Sequence, residues 1–276
     1  VLRGDDGPNL LAGAPSRSGE AAFHGEGGDD LLVPWRGWDM GGSAGPTDIY
    51  GGDGNDIMDD RFATCRRGDI PNIIQGGGGN DTLHAWCGNV DAGDGDDFIF
   101  GGYDESHETT IDGGTGTDIA AWPHVGRDGG LEADLQEGVA RLTWDAGAPP
   151  AVNRLVGVEG LEGTDGGEDL LRGDDGPNVL NGASPEHQSS EDRADTIEGR
   201  GGDDDLYGGE GNDLLDGGDG IDRADGGSGH DSCVNVEMLF SCESSGPANL
   251  RPFDPLRRLP GVFQLRQNDL RQNGGA

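Results

Sequence analysis

At 276 residues the chain can hold one large domain or two ordinary ones, but 32% hydrophobic content is thin for a conventional core. Asp and Glu number 54 against 18 basic residues, a formal charge of −36 that repels itself unless cations bind. Nucleic acid is excluded as a partner because phosphate recognition needs clustered Lys or Arg, and membrane insertion is not expected because no apolar run nears spanning length. With 56 glycines such a chain would be disordered by default, and a periodic fold that binds cations is the escape. The start at Val1, without Met or a signal-like segment, reads as a mature form or an excised piece.

Residues 1–121 read as a first repeat array. Nine-residue units recur as GEGGDDLLV at 25–33, GGDGNDIMD at 51–59, GGGGNDTLH at 76–84, AGDGDDFIF at 92–100 and GGTGTDIAA at 113–121, with insertions between them. Residues 122–162 lack the repeat, and LEADLQEGVARLTW alternates like two strands around Gln136, Glu137 and Gly138, which predicts a β-hairpin capping the first array. A second array occupies 163–243, with four units running without remainder from Gly199 to Val234. The string LRGDDGPN occurs at 2–9 and again at 171–178, so the two arrays are related. The tail, 244–276, has five Arg, two Asp and several Pro, and reads as a mobile extension.

Stacked in register, position eight of the units is Leu11, Leu32, Ile49, Met58, Ile74, Leu83, Ile99, Ile111 and Ala120, then Leu170, Leu180, Ile197, Leu206, Leu215, Ala224, Cys233 and Cys242. That position is the expected core. Position six is Asp30, Asp56, Asp81, Asp97, Asp118, Asp195, Asp204, Asp213, Asp222 and Asp231, with Asn9, Asn72, Asn178, Thr47, Thr109, Glu168 and Phe240 as exceptions. Three residues of each unit can form a short strand with its middle side chain inward, while the six before them reverse the chain. Glycines at positions one, two and four permit positive φ and close backbone approach in that turn. Two units then make one coil, and coils stack at about 4.8 Å. Carboxylates and carbonyls of successive coils thereby meet in a hard-oxygen environment suited to Ca2+.

These units resemble the RTX family's GGxGxDxUx nonapeptide. The resemblance implies an all-β fold, a parallel β-roll or solenoid, with several Ca2+ ions as its cofactors. Carried over by position, it places ions between Asp204 and Asp222 and between Asp213 and Asp231, with Asp195 sharing a further site with Asp213. Asp30, Asp56, Asp81, Asp97 and Asp118 match the ligand position with their pairing open, and occupancy is doubtful where position six is Asn or Thr.

Cysteines at 65, 87, 233 and 242 include no CxxC pair, so disulfides are preferred to zinc and imply an oxidising compartment. Of the three connectivities, Cys233–Cys242 with Cys65–Cys87 is the one that stacking suggests. Several motifs mislead. Arg-Gly-Asp at 3–5, 67–69 and 172–174 follows from repeat composition, and GGSAG around Ser43 lacks the strand and helix of a nucleophile elbow. His107-Glu108 opens a zinc-protease string that fails at Ile111, and Asn80-Asp81-Thr82 is a sequon whose Asp is an expected ligand. The expectation is an extracellular or cell-surface calcium-binding module without a catalytic centre. Its alternatives are an accessory or targeting module of a secreted protease, lipase or epimerase, since the family's rolls accompany such enzymes, and a surface or adhesion spacer.

Overall fold

The computed structural model describes residues 1–13, 21–34, 47–60, 72–86, 88–102, 108–123, 129–143, 150–164, 167–183 and 194–245. Among them every regular element is a strand. The chain alternates between two sheets, one of fourteen strands and one of eleven, and all pairings are parallel except at one hairpin.

The sheets face each other across two inward columns. In the first sheet Phe23, Ile49, Ile74, Val90 and Ile111 lie side by side, and beyond them Ala133 of the hairpin, Leu171, Ile197, Leu215 and Cys233 form a second line. In the second sheet the column is Leu11, Leu32, Met58, Leu83, Ile99, Ala120, Leu161, Leu180, Leu206, Ala224 and Leu239. One or two inward side chains per strand suffice because the two sheets cover each other, so the apolar content can be low. Most of these side chains are fully buried.

Two positions in the sequence frame are corrected. Leu171, not Leu170, is the buried member of its strand, and Asp169, not Glu168, is the buried acid before it. The unit was framed one residue early, and in a strand a slip of one residue puts each side chain on the other face. At the end of the roll Leu239 takes the core position instead of Cys242, because strand Met238–Phe240 pairs with Arg223–Gly229 in a shortened coil. The Cys233–Cys242 disulfide forms nonetheless, with Cys242 in the turn that follows this strand. Cys65 and Cys87 lie outside the described residues, as does the chain beyond residue 245.

The hairpin, strands Gly130–Asp134 and Val139–Thr143, lies between the arrays. Both its edges are paired: one with Ala151–Val156, antiparallel, and the other with Leu170–Arg172, parallel. The first sheet therefore runs on from one array into the next. Arg200 fastens the hairpin to the second array through two bonds to Asp134, 2.6 and 2.9 Å, and one to the Gly173 carbonyl, 2.8 Å. Burial raises the Asp134 carboxyl, but the Arg200 bonds, the Glu137 N–H and the charges of Arg200 and Arg172 together outweigh it and hold the group below its ordinary value.

Through the first array the turns from the first sheet to the second are constant. Nine residues separate Phe23 from Leu32, Ile49 from Met58, Ile74 from Leu83, Val90 from Ile99 and Ile111 from Ala120. The returning turns absorb the insertions. One edge of the roll is thus constant and the other variable. In the constant turns Gly52 and Gly54 have φ of 119° and 135°, and a Cβ on either would sit 2.1 Å from Glu26 O or 2.3 Å from Gly28 O of the coil before. Position-one glycines have no such φ. Glycine is favoured there instead because a Cβ would fill the space between an Asp oxygen and a carbonyl of the next coil, and Ala92 is the exception among the units quoted.

A candidate cation ladder along the turns

The last turn residue before each constant-edge strand is held by the coil that follows it. Asp30, Asp56, Asp81, Asp97 and Asp118 each accept at Oδ1 the backbone N–H of Asn9, Asp30, Asp56, Asp81 and Asp97 respectively, at 2.6–2.8 Å. Five acids separated by 16 to 26 residues in sequence become consecutive rungs. In the second array Asp204 accepts from Asn178 and Asp222 from Asp204 on the same edge. On the opposite edge Asp195 accepts from Asp169, Asp213 from Asp195 and Asp231 from Asp213. Asp204 and Asp222 are therefore neighbours, and so are Asp195, Asp213 and Asp231 in turn.

The variable edge of the first array differs. Asn72 Oδ1 accepts the Thr47 N–H at 2.8 Å, and Trp122, Asn153 and Thr109 form a buried chain of side-chain bonds at 2.8 and 2.9 Å. Apart from Asp60, which accepts the Asn72 amide at 2.7 Å, neutral groups stack there, so in the first array the ladder of successive acids occupies one edge and in the second array both.

The second carboxylate oxygen distinguishes this arrangement from turn capping. Oδ2 of Asp30, Asp56, Asp81, Asp97, Asp118, Asp204, Asp222 and Asp231 is buried and accepts no hydrogen bond. Such atoms cost stability unless something else meets them. All of these but Asp97, whose unit has Ala92 at position one, face a carbonyl of the following coil: a Cβ placed on Gly51 would lie 2.4 Å from both Asp56 Oδ2 and Gly76 O, and one on Gly199 would lie 2.3 Å from Asp204 Oδ2 and 2.5 Å from Gly217 O. Carboxylate and carbonyl oxygens converging at a glycine, where no side chain intrudes, are the donor set of a hard cation. Among the described residues no three His, Cys, Asp or Glu side chains converge to hold a metal, so an ion here would draw on backbone carbonyls beside one or two carboxylates.

The electrostatics agree with a site built for a cation. Burial, reinforced by like charges on adjacent rungs, raises the carboxyls of Asp56, Asp97 and Asp222 to about 6, of Asp118 and Asp204 to about 7, and of Asp81 to about 8. A divalent ion between the rungs would counter the like charges that add to those shifts.

Some features of the ladder escaped the sequence reading. Position five forms its own exposed file, in which Asn55, Asn80, Asp96 and Thr117 each donate their N–H to the side chain of the preceding rung, from Asp29 onward. Glu159, Glu237 and Glu243 take the place of Asp at three rungs. Asp169 was hidden by the frame error.

The misleading motifs are absorbed where they are described. Arg3 pairs with Glu26, and Arg172 with Glu198 and Glu132, so two Arg-Gly-Asp strings are repeat joints. His84 stacks on Phe100 with ring centroids 4.0 Å apart. Ser43, His107 and residues 67–69 lie outside the described residues.

Comparison with known families agrees with the geometry. The model of the RTX calcium-binding nonapeptide repeat, four copies, matches residues 42–59, 68–89, 89–104, 190–224 and 198–233. No curated relative matches the chain.

Proposed function

We propose that this chain, which carries RTX calcium-binding nonapeptide repeats, is an extracellular calcium-binding module whose roll is ordered by Ca2+ lodged between stacked turns. The file of buried Asp oxygens without hydrogen-bond partners carries the reading. Asp30, Asp56, Asp81, Asp97 and Asp118 are the ligands of the first array. Asp204 and Asp222 serve on the same edge of the second, and Asp195, Asp213 and Asp231 on the opposite edge, each beside a position-one carbonyl. Bound Ca2+ supplies positive charge between coils and lets the carboxyls ionise.

The extracellular setting rests on two supports. Sites of this kind outside cells bind at roughly 10⁻⁴ to 10⁻³ M, where calcium is plentiful only outside the cytosol. The Cys233–Cys242 disulfide fits an oxidising compartment. We read the module as binding rather than catalytic, since its ordered acids are committed to rungs. Isothermal titration of the chelator-stripped chain tests the assignment: several Ca2+ ions bind and Mg2+ does not compete, whereas a chain that takes up no Ca2+, or takes Mg2+ equally, contradicts it.

A further inference from the structure

Three turns abandon the six-residue pattern and share another: Gly157-Val158-Glu159, Asn235-Val236-Glu237 and Ser241-Cys242-Glu243. In each the first residue is left-handed, with φ of 56°, 50° and 49°. The second turns inward: Val158 and Val236 are buried, and Cys242 packs on the core. The third is Glu, whose Oε2 accepts the backbone N–H of Asp118, Asp222 or Asp231. The step from Leu155 to Leu161, or from Cys233 to Leu239, is six residues instead of nine. The extra methylene of Glu spans what the shorter turn leaves open.

Each short turn also recreates the cradle. Asp118, Asp222 and Asp231 are at most 1% exposed, and their Oδ2 atoms lack hydrogen bonds. A Cβ on Gly113 would lie 2.1 Å from Gly157 O and 2.7 Å from Asp118 Oδ2. One on Gly217 would lie 2.4 Å from Asn235 O and 2.6 Å from Asp222 Oδ2, and one on Gly226 2.5 Å from Ser241 O and 2.6 Å from Asp231 Oδ2. The orphaned oxygen and the facing carbonyl are thus arranged as in the regular turns, with a Glu in place of the second Asp. None of the three glutamates lies within the residues matched by the nonapeptide model.

We propose that each short turn is a cation site in its own right, in which Ca2+ is taken by the Asp Oδ2, the carbonyl of the left-handed residue and the Glu carboxylate. The Asp118–Glu159 site carries the ion file of the first array into the junction, and the Glu237 and Glu243 sites close the two edges at the end of the roll. The inference rests on the reading that the regular turns bind Ca2+.

The test is the number of ions bound by the full chain at saturating Ca2+, measured by native mass spectrometry and equilibrium dialysis, for wild type, Glu159→Gln, Glu237→Gln, Glu243→Gln and the triple variant. Gln keeps the length and the hydrogen-bond acceptor and removes only the charge. Each single variant is expected to lose one ion and the triple variant three, with the circular dichroism of the calcium-loaded protein unchanged. A triple variant that binds as many ions as wild type, each with unaltered affinity, overturns the proposal and leaves the glutamates as hydrogen-bond caps. Wild type binding no Ca2+ overturns the functional reading itself, a result obtained without any variant. Should Glu159→Gln disturb the fold at the junction, Glu237→Gln and Glu243→Gln at the end of the roll decide by the same count.

Discussion

In Asp97 the two oxygens of one carboxylate have different duties: Oδ1 accepts the Asp81 amide and Oδ2 is buried without a hydrogen bond. Asp97→Asn keeps the first bond and removes the charge. In the calcium-free chain at pH 8 the substitution is expected to stabilise by an amount on the order of 1–3 kcal/mol, because the carboxyl raised to about 6 is ionised there against its surroundings. In saturating Ca2+ the same substitution is expected to lower the Tm, so the β-structure of the stripped chain, read by circular dichroism, should rise while the melting temperature of the calcium-loaded chain falls. The pH dependence has a definite sign. Rung carboxyls with folded pKa of about 6 to 8, above their value in the unfolded chain, contribute stability fully present below about pH 4 and lost as pH rises through that range. Calcium-stripped protein should therefore show more β-structure by circular dichroism at pH 5 than at pH 8, and equal content at both values would count against buried carboxyls. The acids at position six were legible because Asp recurs after a glycine turn. Phe23 and Val90 were not, since their units lack the GGxGxD signature and only strand pairing shows them inward.

At the scale of the element, the three-residue strands of the second array each place a single side chain in the column, so each counts. Leu180 is fully buried between Leu161 and Leu206, and Leu180→Ala should cost about 2–5 kcal/mol, read as a lowered denaturation midpoint in Ca2+. Arg200 holds a position where glycine usually stands, with φ of 74°, and its guanidinium fastens Asp134 of the hairpin. Arg200→Gly relieves the backbone and breaks the clamp. A net loss of about 2 kcal/mol is expected because Asp134, 4% exposed, loses its cationic partner and keeps only the Glu137 N–H, and a gain in stability would mean the clamp is idle. The hairpin itself was legible from alternation around Gly138, but its pairing with both arrays was not, since local sequence does not reveal which edge a strand joins. The short turns were hidden for a related reason: a unit shortened by three residues breaks the period that makes the others visible.

For the whole molecule the consequence is one continuous roll, with two inward columns and a file of acids along its edges. The insertions between units looked in the sequence like breaks in the first array. They fall on one edge only, and across the other the nine-residue step between columns is kept from Phe23 to Ala120. The cohesion of such a roll is spread along its length, and without cations the rung charges oppose it while the net charge of −36 expands it. Folding and ion binding should then be one event. The measurement that tests this most directly is circular dichroism with tryptophan fluorescence during a Ca2+ titration of the stripped full chain, with Mg2+ as control. A cooperative gain of β-structure with Ca2+ and none with Mg2+ is the predicted result, and a stripped chain already folded at pH 8 and indifferent to Ca2+ would contradict it.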